Sequence, residues 1–167
     1  MKVNPFGKVI LPCPVCAMSV DKESVLHTYL VVDYYFCSRQ CLLRFKSHPG
    51  LYCGNPKSGK SVKQRGVEEI KKRKITLSIS MLDDQIQTLN DSIKKLMGIK
   101  EVTIYDKEIL VTYDLIVISL EEIEHAIEAN LSINTSTTNT LKRKWIHYTE
   151  SCELDNLANP VSKGCCH

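Results

Sequence analysis

Nowhere in this chain do about eighteen apolar residues follow one another, so no segment reads as a membrane-spanning helix. The first residues have no long apolar core and do not read as a secretory signal, so the expected location is the cytoplasm. The net charge is only +3, too little to point to nucleic acid by itself. No helix-turn-helix pattern is found, which leaves a metal-responsive DNA-binding regulator as the weakest reading. No phosphate loop, carboxylate dyad or nucleophile–base signature stands out, so an enzyme is not expected. Cysteine is missing from the whole middle of the chain, between Cys53 and Cys152.

Eight cysteines are nevertheless present: five from Cys13 to Cys53 and three from Cys152 to Cys166. A disulfide framework would not persist in a reducing cytoplasm, and metal ligation is the commonest other use of so many thiols. With 43% hydrophobic and 25% charged residues over 167 positions, the composition is that of a soluble globular protein, one ordinary domain or two small ones.

Residues 8–54 form the first segment. A β-rich stretch from Tyr29 to Phe36 predicts a strand or hairpin leading into Cys37. Ser38 is placed to cap a short helix on which Leu42 and Phe45 share a face. About fifty residues bury little apolar surface, and a metal cross-link would supply the missing stability. Residues 55–73 read as a basic linker ending in Lys71-Lys72-Arg73-Lys74, a run that could touch nucleic acid or an anionic partner but reads more simply as a solvated linker and strand entry.

Residues 74–135 show clear periodicity. Ile75, Leu77 and Ile79 alternate with polar residues as in a half-buried strand. Ile86, Leu89, Ile93, Leu96 and Met97 recur at helical spacing, and Gly98 is a stop signal. Two strands follow, joined by a tight turn at Asp106-Lys107. Ser119 and Glu122 make a capping box before Leu120, Ile123 and Ile127. With a weaker fourth strand over 131–135, the order is the ferredoxin-like βαββαβ. A last helix over 139–158 places Leu141, Trp145, Tyr148 and Cys152 on one apolar face. Residues 159–167 are a Cys/His tail.

Cys13 and Cys16 form a C-x-x-C knuckle, a spacing that lets two thiolates reach one ion from a tight turn. Cys37 and Cys41 form C-x-x-x-C, which on a helix puts both thiolates on one face. Four thiolates in a tetrahedron suit Zn(II), whereas fewer and more open ones suit Cu(I). A secondary candidate is the tail, where Cys165, Cys166 and His167 are three soft ligands in sequence. Cys152 reads as a packed core thiol and Met81 as a core residue rather than a soft ligand. Cys53 is a spare ligand or nothing. His27 and His48 read as surface or packing residues, and His125 and His147 are assigned no role.

On Pro14-Val15-Cys16-Ala17-Met18-Ser19-Val20, Tyr34-Tyr35-Phe36-Cys37-Ser38, Cys41, Phe45, Pro49 and Tyr52, residues 13–52 resemble a YHS domain of the treble-clef-like TRASH group. That resemblance implies heavy-metal sensing, trafficking or resistance. The family usually has Asp at the place of Cys13 and Gly at that of Ala17; the added Cys13 completes a four-thiolate set and tilts the metal toward closed, structural Zn(II). Residues 74–135, with Leu96-Met97-Gly98-Ile99-Lys100-Glu101-Val102, resemble a heavy-metal-associated domain. The loop that carries C-x-x-C in that family is here Ser80-Met81-Leu82-Asp83-Asp84, without a thiol, which suggests a docking or dimerising surface.

The expectation is therefore an α+β chain with a treble-clef-like metal-binding domain, a ferredoxin-like domain and a C-terminal helix. Its expected function is as a heavy-metal (copper, zinc or mercury-like) chaperone, scavenger or resistance accessory. The alternative is a structural-zinc interaction or regulatory module without metal transfer. The resemblances imply a metal-transporting ATPase as partner.

Overall fold

The computed structural model describes residues 2–3, 9–21, 24–54, 59–78, 80–131 and 140–159. They form a mixed α+β chain with three small sheets and four α-helices among the described residues. The chain divides into two units. Among the described residues, one holds those up to Val67 together with residues 155–159, and the other spans Glu68–Leu154.

In the first unit, β1 (Lys2–Val3), β2 (Val9–Pro12) and β3 (Ser19–Val20) make a small antiparallel sheet in that order. The hairpin expected before Cys37 is present as β4 (Val25–Tyr29) and β5 (Val32–Phe36), with Val25 opposite Phe36 and Tyr29 opposite Val32. Its two-residue turn is Leu30-Val31, and both residues have positive φ, 47° and 60°. That conformation favours Asn-Gly; a leucine followed by a β-branched valine is strained there. Helix α1 (Arg39–Ser47) follows, and Ser38 caps it by accepting the Cys41 N–H at 3.3 Å. The core of this unit gathers on Phe45, whose ring meets those of Tyr34, Phe36, Tyr29, Tyr52 and His27 at centroid distances of 5.0–6.2 Å. Residues 61 and 62, expected to be linker, are instead buried in this unit, where Ser61 and Gln64 exchange hydrogen bonds.

The second unit begins with β6 (Ile70–Thr76) and α2 (Asp83–Lys94). It continues through β7 (Ile99–Tyr105), β8 (Glu108–Asp114), α3 (Leu120–Leu131) and α4 (Thr140–Ala158). The sheet order is β6-β8-β7 and both pairings are antiparallel. Along β8, Ile109, Val111 and Tyr113 are buried while Leu110 is exposed, as one covered face requires. Gly98 stops the α2 segment at φ 99°, and a Cβ there would lie 2.8 Å from Val117 Cβ. The capping box at α3 is formed: Glu122 Oε2 accepts from Ser119 N–H at 2.9 Å, and Ser119 Oγ accepts from Glu122 N–H at 3.4 Å.

Three expectations change. The first strand lies earlier than the alternation from Ile75 implied, so the basic run sits within β6 and is not linker. The inward cations are matched by carboxylates: Lys71 Nζ lies 2.9 Å from Glu69 and 2.8 Å from Glu153, and Arg73 lies 3.5 Å from Glu150. The face of α4 is the second change. Of the expected face only Cys152 is buried; Leu141, Trp145 and Tyr148 are 86%, 67% and 60% exposed, and Glu150 and Leu154 are buried in their place. The reason is polar. Glu150 accepts from the Tyr113 hydroxyl at 2.5 Å and from the Leu120 N–H at 3.0 Å, which ties α4 to β8 and to the start of α3. The third concerns the fourth strand. Leu131 ends α3 as a helical residue, and residues 132–135 lie outside the described residues. The described order is thus βαββα followed by α4.

Candidate metal centre

The Cys13 and Cys16 knuckle is the turn between β2 and β3. The Cys13 N–H donates to the Met18 carbonyl at 2.8 Å, and the Ala17 N–H donates to the Cys13 carbonyl at 2.9 Å. Closing this turn puts Ala17 at φ 63°, in the left-handed region. The second pair sits where β5 meets α1. Cys37 follows Phe36 directly, and Cys41 occupies the first turn of α1, beside the Ser38 cap. The N–H groups and dipole of a helix start favour negative charge on sulfur.

The structure brings the two pairs together. The four Sγ atoms of Cys13, Cys16, Cys37 and Cys41 all lie within 4.8 Å of one another. Cys16 and Cys37 are 3.3 Å apart, and Cys37 and Cys41 are 3.5 Å apart. A Zn–S bond of about 2.3 Å implies a tetrahedral S···S edge of roughly 3.8 Å. The four donors therefore fit one ion of that size. Cys13 and Cys41 are buried, while Cys16 and Cys37 are half-buried.

Crowding moves three of these thiols away from the usual range. Cys13 is held well below the usual thiol range because first Cys16 and then Cys41 donate to its sulfur. The same bond from the other side pushes Cys16 up to about 12. Cys41 is also pushed up, by Cys13 first, then by Cys16 and by burial. One thiolate forms easily and the next is opposed by its charge. A bound cation reverses that opposition, which is why such a set favours a metal.

Other sequence candidates fall elsewhere. Cys53 stands outside the four; it is half-buried and paired with Tyr34, and its thiol is pushed up by burial. Cys152 and Met81 are buried, as core residues should be. His27 packs on Phe45, and His48 Nε2 lies 3.3 Å from Asp155. His125 is exposed. Cys165, Cys166 and His167 lie outside the described residues. Sequence reasoning missed the buried carboxylate Glu124, gripped by Arg143 at 2.9 and 2.7 Å and by His147 at 2.9 Å. Its only signal was an acidic residue on the apolar face shared by Leu120, Ile123 and Ile127. No known protein family, no curated protein and no solved structure matches this chain.

Proposed function

We propose that this chain is a metal-ion-binding protein that handles a thiophilic heavy metal, Zn(II) or Cu(I), through Cys13, Cys16, Cys37 and Cys41. The observation that carries this reading is the convergence of four sulfurs within 4.8 Å from two separate stretches of chain. The YHS-like residues of segment 13–52 support a role as chaperone, scavenger or resistance accessory. On this reading the second unit, with its βαββα order of elements and its thiol-free loop, serves as the docking surface. A metal-transporting ATPase is the partner that the resemblance implies, and the cytoplasm the place of action. Half-exposure of Cys16 and Cys37 leaves one side of the centre open to an incoming thiol.

A second reading is favoured by one specific observation. Cys13 and Cys41 are each only 1% exposed, and the donor set is complete with four thiolates. Such a closed set suits structural Zn(II), which would hold a small unit whose core is the Phe45 aromatic cluster with Val15, Val20, Leu51 and Val62.

Competition with a chelator separates the two. The purified full chain is loaded with one equivalent of Zn(II) and then challenged with Cu(I) while its folding is followed by circular dichroism. Displacement of Zn(II) with the fold retained supports metal handling. Retention of Zn(II), or unfolding on its removal, supports the structural role. Stoichiometric binding that survives Cys13→Ser and Cys41→Ser unchanged would sink both.

A further inference from the structure

Among the described residues β6 is an edge strand, and its outer side is a groove of about 480 Å³ between the strand and α4. The Leu77 N–H donates to the Lys107 carbonyl and the Leu115 N–H to the Glu69 carbonyl, both at 2.7 Å. In an antiparallel ladder this parity turns the backbone groups of Lys71, Arg73 and Ile75 toward β8. The backbone groups of Lys72, Lys74 and Thr76 therefore face the groove. Of these, the Lys72 carbonyl accepts from Arg73 Nη1 at 3.3 Å, and the three N–H groups have no partner among the described residues. Residues 72–76 present about 13 Å of edge at roughly 3.3 Å per residue.

The walls of the groove are basic and apolar. Lys72, Lys74, Lys142 and Arg143 line it, with Trp145 and Ile146. Its acidic member, Glu124, is already matched by Arg143 and His147. Lys72 and Lys142 have no acidic partner within 4 Å among the described residues. Lysine on an edge strand discourages pairing with a second copy, because like charges would stand opposite one another. That protection alone does not require a large aromatic side chain to remain 67% exposed beside it, as Trp145 does. A nucleic-acid backbone is a poorer fit, since Lys71, Arg73 and Arg143 are committed to carboxylates and too few cations are left to follow a run of phosphates.

We propose that the β6 edge binds an acidic, extended peptide segment of a partner protein by strand addition. Alternate residues of the segment are acidic: one meets the unpaired Lys72, and the next competes at Lys74 with the exposed Glu108, 2.7 Å from its ammonium, on the outer face of the sheet. The intervening residues are apolar and point toward Ile146 and Trp145. Main-chain bonds from the Lys72, Lys74 and Thr76 amides supply affinity, and the two faces supply specificity. This holds whatever metal the cysteine centre binds.

The test uses the metal-loaded full chain and a blocked peptide of alternating glutamate and valine. Amide shifts and hydrogen exchange are read by NMR. The expected result is binding that protects the amides of Lys72, Lys74 and Thr76, with no binding of the lysine–valine counterpart. The pair Lys72→Glu and Lys142→Glu should weaken binding by roughly tenfold or more. If that variant does not fold, a peptide N-methylated on its edge-facing amides decides on the unsubstituted chain, because charge is kept and strand pairing is lost. Equal binding of the N-methylated peptide, peptide binding that leaves the β6 amides unmoved, no binding at all, or preferential binding of a single-stranded oligonucleotide at the same lysines each overturns the proposal.

Discussion

The sulfurs of Cys16 and Cys37 lie 3.3 Å apart although 21 positions separate them in the chain. This contact joins the knuckle to the start of α1. Substituting serine at Cys16 or Cys37 should therefore weaken Zn(II) binding by on the order of 100-fold or more. Cys53→Ser should leave affinity unchanged, because Cys53 stands outside the cluster. Competition titrations on the three variants check this. A Cys53→Ser loss as large as the others would show that the donor set is misassigned.

The hairpin turn offers a gain of stability. Leu30 and Val31 hold left-handed φ values with side chains 71% and 99% exposed, so their replacement sacrifices little packing. The double substitution Leu30→Asn, Val31→Gly should stabilise the first unit by about 1–2 kcal/mol. Denaturant unfolding of the metal-loaded protein measures it. An unchanged or lowered midpoint would mean that the side chains contribute contacts outweighing the strain.

Tyr113 and Glu150 clamp α4 to β8. Burial first, and then the Glu150 carboxylate, pushes the Tyr113 phenol up. Tyr113→Phe removes one hydrogen bond to a buried carboxylate that keeps its bond from Leu120. The expected cost is about 1.5–3 kcal/mol. Faster hydrogen exchange in β8, α3 and the middle of α4, with the first unit unaffected, is the signature.

Tyr34 gives a pH dependence. Burial, reinforced by Cys53, pushes its phenol up to about 12. The unfolded chain releases the same proton near pH 10. The folded state thus holds more protons than the unfolded state between these values. Stability linked to the neutral phenol is complete below about pH 10 and is lost as pH rises toward 12. Phenolate absorbance should show fewer late-titrating tyrosines in Tyr34→Phe, with Tyr113 remaining late. Identical titration curves would refute the burial of this hydroxyl.

Much of the centre was legible because its signals are local. C-x-x-C and C-x-x-x-C set which sulfurs can share a face within a turn or a helix start, and Ser38 marks the start of α1 by a contact three residues long. The Ser119–Glu122 box and the Gly98 stop were legible for the same reason. The β6 strand was obscured because its alternation runs in lysine and arginine, whose inward members pair with Glu150 and Glu153 some eighty positions away. Apolar spacing alone would turn Leu141, Trp145 and Tyr148 of α4 inward. Glu150, Arg143 and His147 took that side through partners on other elements.

The sequence by itself determined the two cysteine pairs, the starts of α1 and α3, and the division between a cysteine-bearing and a cysteine-free segment. These follow from spacing, capping and turn chemistry, which act within a few residues. Tertiary structure alone decided that the two pairs meet, that a basic run is an edge strand, and that a glutamate rather than a tryptophan is buried on α4. Those outcomes depend on where a charge finds its partner, and the partners lie far away in the chain.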